Sequence, residues 1–130
     1  MQNFEIINPT RIVFGANQLE RLPQLLHAHS VKRILIAYGG GSIKKTGLLS
    51  KIEAQLHDFE IFEFGGIEAN PEFTTLMNGV KLSKEKNIDF ILAVGGGSVI
   101  DGVKFMCGAS KYTGDPWDVL LRKEGCQFEK

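Results

Sequence analysis

The chain has 130 residues, 43% of them hydrophobic, which is enough for one ordinary core and hardly two, so we expect a single domain. Fifteen Lys and Arg balance fifteen Asp and Glu, so charge gives no reason to expect nucleic acid or an anionic membrane as a partner. Two cysteines are too few for a disulfide framework, and neither a signal-peptide pattern nor an apolar run of ~20 residues is visible. These features predict a soluble, cytoplasmic protein in which any anion site is local.

The first thirty residues predict two elements. Two β-favouring runs flank Asn8-Pro9-Thr10 within residues 4–15, which is typical of an edge hairpin or a pair of extended segments. Residues 17–29 then show a helical pattern, with Asn17 as a plausible N-cap and Pro23 in the first turn of a second helical piece.

Strand and helix patterns alternate along the rest of the chain. The apolar runs at 34–38 and 90–94 are continuous, as in strands buried on both faces of a parallel sheet, and residues 59–64 alternate. Helical periodicity follows each run, at 48–56, 70–87 and 99–110, and Asp115-Pro116 predicts a further short helix. This order predicts an α/β fold, with a Rossmann-like open parallel sheet and helices on both faces.

The chain makes the same glycine-rich turn twice, at 39–42 and 95–98, and we expect the two turns to be similar in geometry. The second turn consists of Gly95, Gly96, Gly97 and Ser98. It follows an apolar strand and precedes a helix that we expect to begin near Ser98, so it offers backbone N–H groups and a positive helix end to a diphosphate.

Asp101 and Lys104 follow this turn and share one face of the predicted helix. Asp101 could accept hydrogen bonds from a ribose or an amide, and Lys104 could reach a phosphate or pair with Asp101. A tight structural turn followed by an Asp–Lys surface pair is the alternative, and the G-x-G-x-x-G pattern is absent.

The segment GGGSVIDGVK at 95–104 resembles the G-G-G-S-x-x-D-x-x-K signature of the iron-containing (group III) alcohol dehydrogenases. Residues 7–23 and the EANP segment at 68–71 also resemble this family, and YTGDPWDVL at 112–120 is similar to its butanol dehydrogenase branch. The resemblance implies an N-terminal domain that binds NAD(P), with the pyrophosphate on residues 95–98. It also implies Asn70 at the adenosine half, Asp101 toward the nicotinamide, Lys104 as the motif lysine, and a homodimer.

The first turn bears on the choice of cofactor. NAD-preferring members of that family commonly carry an aspartate there, whereas residues 38–47 contain no acid. Glycines, a hydroxyl and two lysines favour a 2′-phosphate, so we predict NADP, with NAD possible. The residues of this predicted site are Gly39, Gly40, Gly41, Ser42, Lys44 and Lys45. In the alternative interpretation the lysines are solvated charges at a helix start.

The resemblance implies a metal, Fe²⁺ or Zn²⁺, held by one aspartate and three histidines in a second, all-α domain. This chain offers only His27, His29 and His57, for which solvated helix ends are the expected role, and Cys107, for which we expect core packing. We therefore predict no metal site and no catalytic residue here.

Residues 1–130 are thus expected to be the NAD(P)-binding domain of a longer two-domain enzyme and to be inactive alone. That enzyme would transfer hydride between NADP and a small primary alcohol or aldehyde, as a butanol dehydrogenase does. The alternative is a stand-alone nucleotide-binding or interaction module without catalysis.

Overall fold

The computed structural model describes residues 13–111. The hairpin predicted around Asn8-Pro9-Thr10 and the helix predicted at Asp115-Pro116 lie outside these residues. The elements, in chain order, are a 3₁₀ helix at Gln18–Arg21, α1 at Leu22–His27, β1 at Arg33–Tyr38, α2 at Ser42–Lys45, α3 at Leu48–Gln55, β2 at Glu60–Phe64, α4 at Phe73–Glu85, β3 at Phe90–Val94 and α5 at Gly97–Lys111.

The three strands form one parallel sheet in the order β2-β1-β3. Ile34 of β1 stands opposite Ile61 of β2 on one side and Phe90 of β3 on the other. Each connection between strands contains a helix, as parallel pairing requires. The α/β prediction, with its open parallel sheet, is confirmed.

The central strand β1 divides the core into two parts. Ile34, Ile36 and Tyr38 pack against α1, α2 and α3, while Leu35 and Ala37 pack against α4 and α5. All five side chains are buried. Side chains of a strand alternate between its two faces, so a continuous apolar run is what a strand covered by helices on both faces requires.

For β3 this expectation held only in part, because its side chains pack against both parts of the core but are not fully buried. Every residue of β3 is only half-buried, because β3 lies at an edge of the sheet that residues 13–111 form. The run Phe90–Val94 is as apolar as β1, so its composition alone does not distinguish an edge strand from a central one.

The sequence predicted Asn17 and Pro23 at the starts of two helical pieces. Pro23 lies in the first turn of α1, as predicted. Asn17 precedes the 3₁₀ helix but adopts a left-handed conformation, with φ 58° and ψ 20°, and its side chain makes no capping hydrogen bond. Asn17 thus occupies the predicted N-cap position, but the side-chain cap that this position favours is not formed. Within the described residues, no helix is long and apolar enough to cross a membrane.

The amino ends of β1 and β3 are tied together by Asp89. Its carboxylate accepts hydrogen bonds from the backbone N–H groups of Lys32 and Arg33, each at 3.0 Å. The Arg33 guanidinium in turn donates to the Lys86 carbonyl at 2.8 Å and pairs with Glu60 at 2.7 Å. These bonds fix the end of the sheet opposite to the glycine turns.

Candidate nucleotide site

The two glycine turns meet at the carboxyl ends of adjacent strands. The chain leaves β1 for α2 on one face of the sheet and leaves β3 for α5 on the other. Such a divergence opens a crevice between the two strands, which is where ligands bind in open α/β sheets. A cleft of about 320 Å³ occupies this position. The residues that line it are Gly39, Gly40, Ser42, Ile43, Ile67, Glu68, Ala69, Val94, Gly95, Gly96, Gly97, Ser98 and Val99.

The second turn leads directly into a long helix. Helix α5 begins at Gly97, one residue before the predicted start, and runs for 15 residues. The first N–H groups of an α-helix have no acceptor within the helix and carry its positive end. They lie beside the cleft, because Gly97, Ser98 and Val99 all line it.

The first turn has a different geometry, so the expected similarity was wrong. Gly95 has φ +153°, a conformation that favours glycine, whereas Gly39 at the equivalent position does not have a left-handed φ. Helix α2, which follows the first turn, has only four residues. The Gly41 carbonyl accepts hydrogen bonds from the N–H groups of Lys44 and Lys45, both at 3.1 Å.

A third wall of the cleft is formed by residues 67–69, in the segment after β2. Asn70 was the one residue of this segment that the sequence predicted to be part of the site. The Gly66 N–H donates to the Gly39 carbonyl at 2.8 Å, and the Ile67 N–H donates to the Tyr38 carbonyl at 3.2 Å. Residues 67–69 consequently lie beside the first glycine turn, residues 39–42. The Ser98 hydroxyl donates to the Ala69 carbonyl and so joins this wall to the start of α5.

Glu68 supplies an acidic group to the cleft. Its carboxylate accepts a hydrogen bond from the Thr75 hydroxyl at 2.6 Å and another from the Glu72 N–H at 3.1 Å. The Thr75 bond and then the Glu72 bond lower the pKa of Glu68 below its ordinary value. Thr75 lies in the first turn of α4 and Glu72 immediately precedes this helix, so the two bonds tie Glu68 to the start of α4.

Six of the predicted site residues do not line the cleft: Gly41, Lys44, Lys45, Asn70, Asp101 and Lys104. The Lys44 ammonium lies 5.7 Å from the centre of the Tyr38 ring, and a hydrogen bond with the Tyr38 hydroxyl raises the pKa of Lys44. Asp101 and Lys104 are exposed, and no ion pair joins them in the described part of the chain.

The three histidines are exposed at or near helix ends, as predicted, and two of them contact one carboxylate. His27 Nε2 lies 3.7 Å from one Asp58 carboxylate oxygen, and His57 Nε2 lies 3.3 Å from the other. His29 is not part of this contact. Between residues 13 and 111 no group of three or more His, Cys, Asp or Glu side chains is placed to hold a metal ion.

The predicted core packing of Cys107 is wrong, because Cys107 is exposed and lines a small cleft together with residues of α4 and β3. Desolvation by the atoms around it raises the pKa of its thiol above the ordinary value. A raised thiol pKa disfavours the thiolate, which is the nucleophilic form.

The glycines of the cleft leave room for a ligand at the backbone. A Cβ on Gly40, Gly96 or Gly97 would meet no atom within 4 Å. These positions therefore do not need glycine to avoid a clash with the protein. Open space over free N–H groups fits the close approach of a phosphate or diphosphate.

The sequence model of the iron-containing alcohol dehydrogenases matches residues 9–129. The chain belongs to this family. It is 47% identical over 125 residues to the probable NADH-dependent butanol dehydrogenase 1 of Bacillus subtilis, covering 95% of this chain and 32% of that protein. It is 49% identical over 122 residues to the NADPH-dependent aldehyde reductase YqhD of Escherichia coli, covering 92% and 31%.

A solved structure agrees with the fold. The crystal structure of NADH-dependent butanol dehydrogenase A from Thermotoga maritima matches all of this chain and 33% of its own, with a TM-score of 0.89 and 36% sequence identity. The chain thus spans about a third of the length of these relatives, at their N-terminal part. Their names divide between NADH and NADPH at nearly equal identity, so they do not decide between the cofactors.

Proposed function

We propose that residues 1–130 are the NAD(P)-binding domain of an alcohol dehydrogenase or aldehyde reductase of the iron-containing family. The observation that carries the proposal is the cleft itself. Two glycine turns meet in it at the carboxyl ends of β1 and β3, with open space over Gly40, Gly96 and Gly97 and a 15-residue helix starting at its edge. The diphosphate of a dinucleotide would bind at the helix end, and its adenosine would bind at the neighbouring glycine turn.

Within this site, the backbone N–H groups of Gly97 and Ser98 bind the pyrophosphate. Asn70 contacts the adenosine half from the wall after β2, and Asp101 lies toward the nicotinamide on the exposed side of α5. Lys104, one turn further along, adds a positive charge near the phosphates. Support for these assignments comes from the shared position of the turn, the wall and the helix around one cleft.

The cofactor preference that we propose is NADP. No acidic residue occurs between positions 38 and 47, and Ser42 lines the cleft next to the two lysines of α2. A 2′-phosphate would accept hydrogen bonds from the Ser42 hydroxyl and pair with Lys45, or with Lys44 once its contact with Tyr38 is exchanged. Bound in this way, NADP⁺ would accept hydride and NADPH would supply it.

Competitive titration of the chain with NADPH and NADH tests this preference. We expect NADPH to bind more tightly, and we expect the advantage to shrink in a Lys44→Ala, Lys45→Ala double variant. Equal affinities, or tighter binding of NADH, would contradict NADP preference but would leave the nucleotide site in place. Failure of both cofactors to bind would contradict the domain assignment.

The longer protein is proposed to interconvert a primary alcohol and an aldehyde, and the present chain to have no turnover alone. The described residues provide no metal group, so they do not fit the iron or zinc that the family implies. The chain also spans only about a third of its relatives. Turnover of butanal by this chain with NADPH and added Fe²⁺ or Zn²⁺ would refute the claim of inactivity.

A further inference from the structure

The wall formed by residues 67–70 is fixed by two side chains. Up to Ile67 the segment is held by backbone hydrogen bonds to β1 and the first turn. Beyond Ile67 the hydrogen bonds at the cleft come from Ser98, which donates to the Ala69 carbonyl, and from Glu68, which accepts from Thr75 and Glu72. One bond ties the wall to α5, and the other two tie it to α4.

The bond from Ser98 limits what this serine can do for an anion. A serine hydroxyl has a single O–H donor, and here the donor is directed to the Ala69 carbonyl. While it is so directed, it cannot also donate to a phosphate oxygen. The donors left for an anion at this position are the backbone N–H groups of the first turn of α5.

Glu68 has a comparable role on the other side of the wall. Glu68 is half-buried and its carboxylate is negatively charged, which is unsuitable for holding a phosphate directly. Instead it accepts two hydrogen bonds from the start of α4, one of them at 2.6 Å. Hydrogen bonds to a charged acceptor are stronger than those between neutral groups, so this contact is well suited to fixing a loop.

We propose that Ser98 and Glu68 are positioning residues that hold the 67–70 wall against the cofactor cleft. Their loss then weakens binding of the adenosine half of the cofactor and leaves the pyrophosphate half bound by the backbone of α5. This inference rests on the proposed function, because it assigns the wall to the adenosine side of the same site.

The test uses the whole chain and the variants Ser98→Ala, Ser98→Thr and Glu68→Gln. Calorimetric titration measures affinity for 2′,5′-ADP, which carries the adenosine half, and for inorganic pyrophosphate. Amide hydrogen exchange of Ala69, Asn70 and Glu72 is measured without any ligand. We expect Ser98→Ala to weaken 2′,5′-ADP about tenfold, to change pyrophosphate affinity less than about twofold, and to speed the exchange. Ser98→Thr keeps the hydroxyl and should resemble the parent, whereas Glu68→Gln should show the same pattern as Ser98→Ala.

Two results would overturn the proposal. If Ser98→Ala weakens pyrophosphate binding as much as 2′,5′-ADP binding while amide exchange at Ala69, Asn70 and Glu72 is unchanged, the hydroxyl is a direct phosphate ligand. If Glu68→Gln alters neither exchange nor affinity, Glu68 does not position the wall. A parent chain that binds neither ligand would refute the proposed function instead. In that case exchange alone decides, with faster exchange in Ser98→Ala supporting the contact and unchanged exchange refuting it.

Discussion

Val99 packs directly against the α-carbon of Gly95, so closely that a Cβ on Gly95 would lie 2.9 Å from Val99 Cγ2. Gly95 also has φ +153°, which side chains rarely adopt. The sharp exit from β3 into α5 thus depends on glycine at this position. Two residues later, Gly97 has neither constraint, since its Cβ would meet open space.

Substitution of Gly95 by Ala is therefore expected to lower the free energy of unfolding by about 1–3 kcal/mol, through backbone strain and the clash with Val99. Gly97→Ala is the matched control and should stay within about 1 kcal/mol of the parent, because alanine is tolerated at a helix start. Urea unfolding measures both. Equal stability of the two variants would contradict this account of the turn.

The same Gly97→Ala variant tests whether the open space over Gly97 is occupied by a bound ligand. Its methyl group would project into open space at the edge of the cleft, over the N–H groups assigned to the pyrophosphate. We expect a folded protein whose affinity for NADPH falls at least about tenfold, measured by nicotinamide fluorescence. Gly41→Ala also adds a methyl group in open space but lies outside the cleft lining, so it should bind nearly as well as the parent. If Gly41→Ala lost as much affinity as Gly97→Ala, the cleft lining would not define the site.

Glu68 should make the free energy of unfolding depend on pH in the acidic range. Its pKa is lowered in the fold, so its contribution is fully present above the ordinary value of 4.5 and is lost as pH falls through the lowered pKa. Unfolding of the parent and of Glu68→Gln is compared between about pH 6 and about pH 3. The parent should be the more stable protein at the upper end, and the difference should shrink toward the lower end. A difference that stays constant or grows on acidification would show that the hydrogen bonds do not favour the carboxylate.

Asp89 offers a test at the other end of the sheet. Asp89→Ala removes the acceptor of the Lys32 and Arg33 N–H groups and should lower the free energy of unfolding by about 1–3 kcal/mol. Asp89→Asn keeps one acceptor oxygen and should lose less. Because these bonds lie at the amino ends of the strands, NADPH affinity at a temperature where the variants are folded should not change. A binding defect in Asp89→Ala would mean that the two ends of the sheet are coupled.

Local patterns were sufficient to predict the sheet and its two glycine turns. The apolar run of β1, the glycines that end it and the helical spacing after each strand are all read within a few residues of one another. The restart of the helix at Pro23 is equally local, because proline suits the first turn of a helix through its own geometry. The edge position of β3 was missed because burial depends on which strands pair, and its composition resembles that of β1.

The contacts that complete the site were also beyond local patterns. Ser98 is 29 residues from Ala69. At the opposite end of the sheet, Asp89 is likewise 57 residues from Lys32. Glu68 lies in a loop with no periodicity, so nothing near it in the sequence indicated that its carboxylate would cap α4 and line the cleft. Residues 38–47 contain no acid, whereas the fold brings Glu68 to the cleft from the segment after β2.

The most direct test of the nucleotide site is to follow the backbone amide signals of the chain by NMR during titration with 2′,5′-ADP. The account predicts that the largest shifts fall on Gly39, Gly40 and Ser42 of the first turn and on residues 95–98 of the second. Amides near Asp89 should remain unshifted. Shifts confined to any other part of the chain, or no shifts at millimolar ligand, would contradict the claim that the two turns form one nucleotide site.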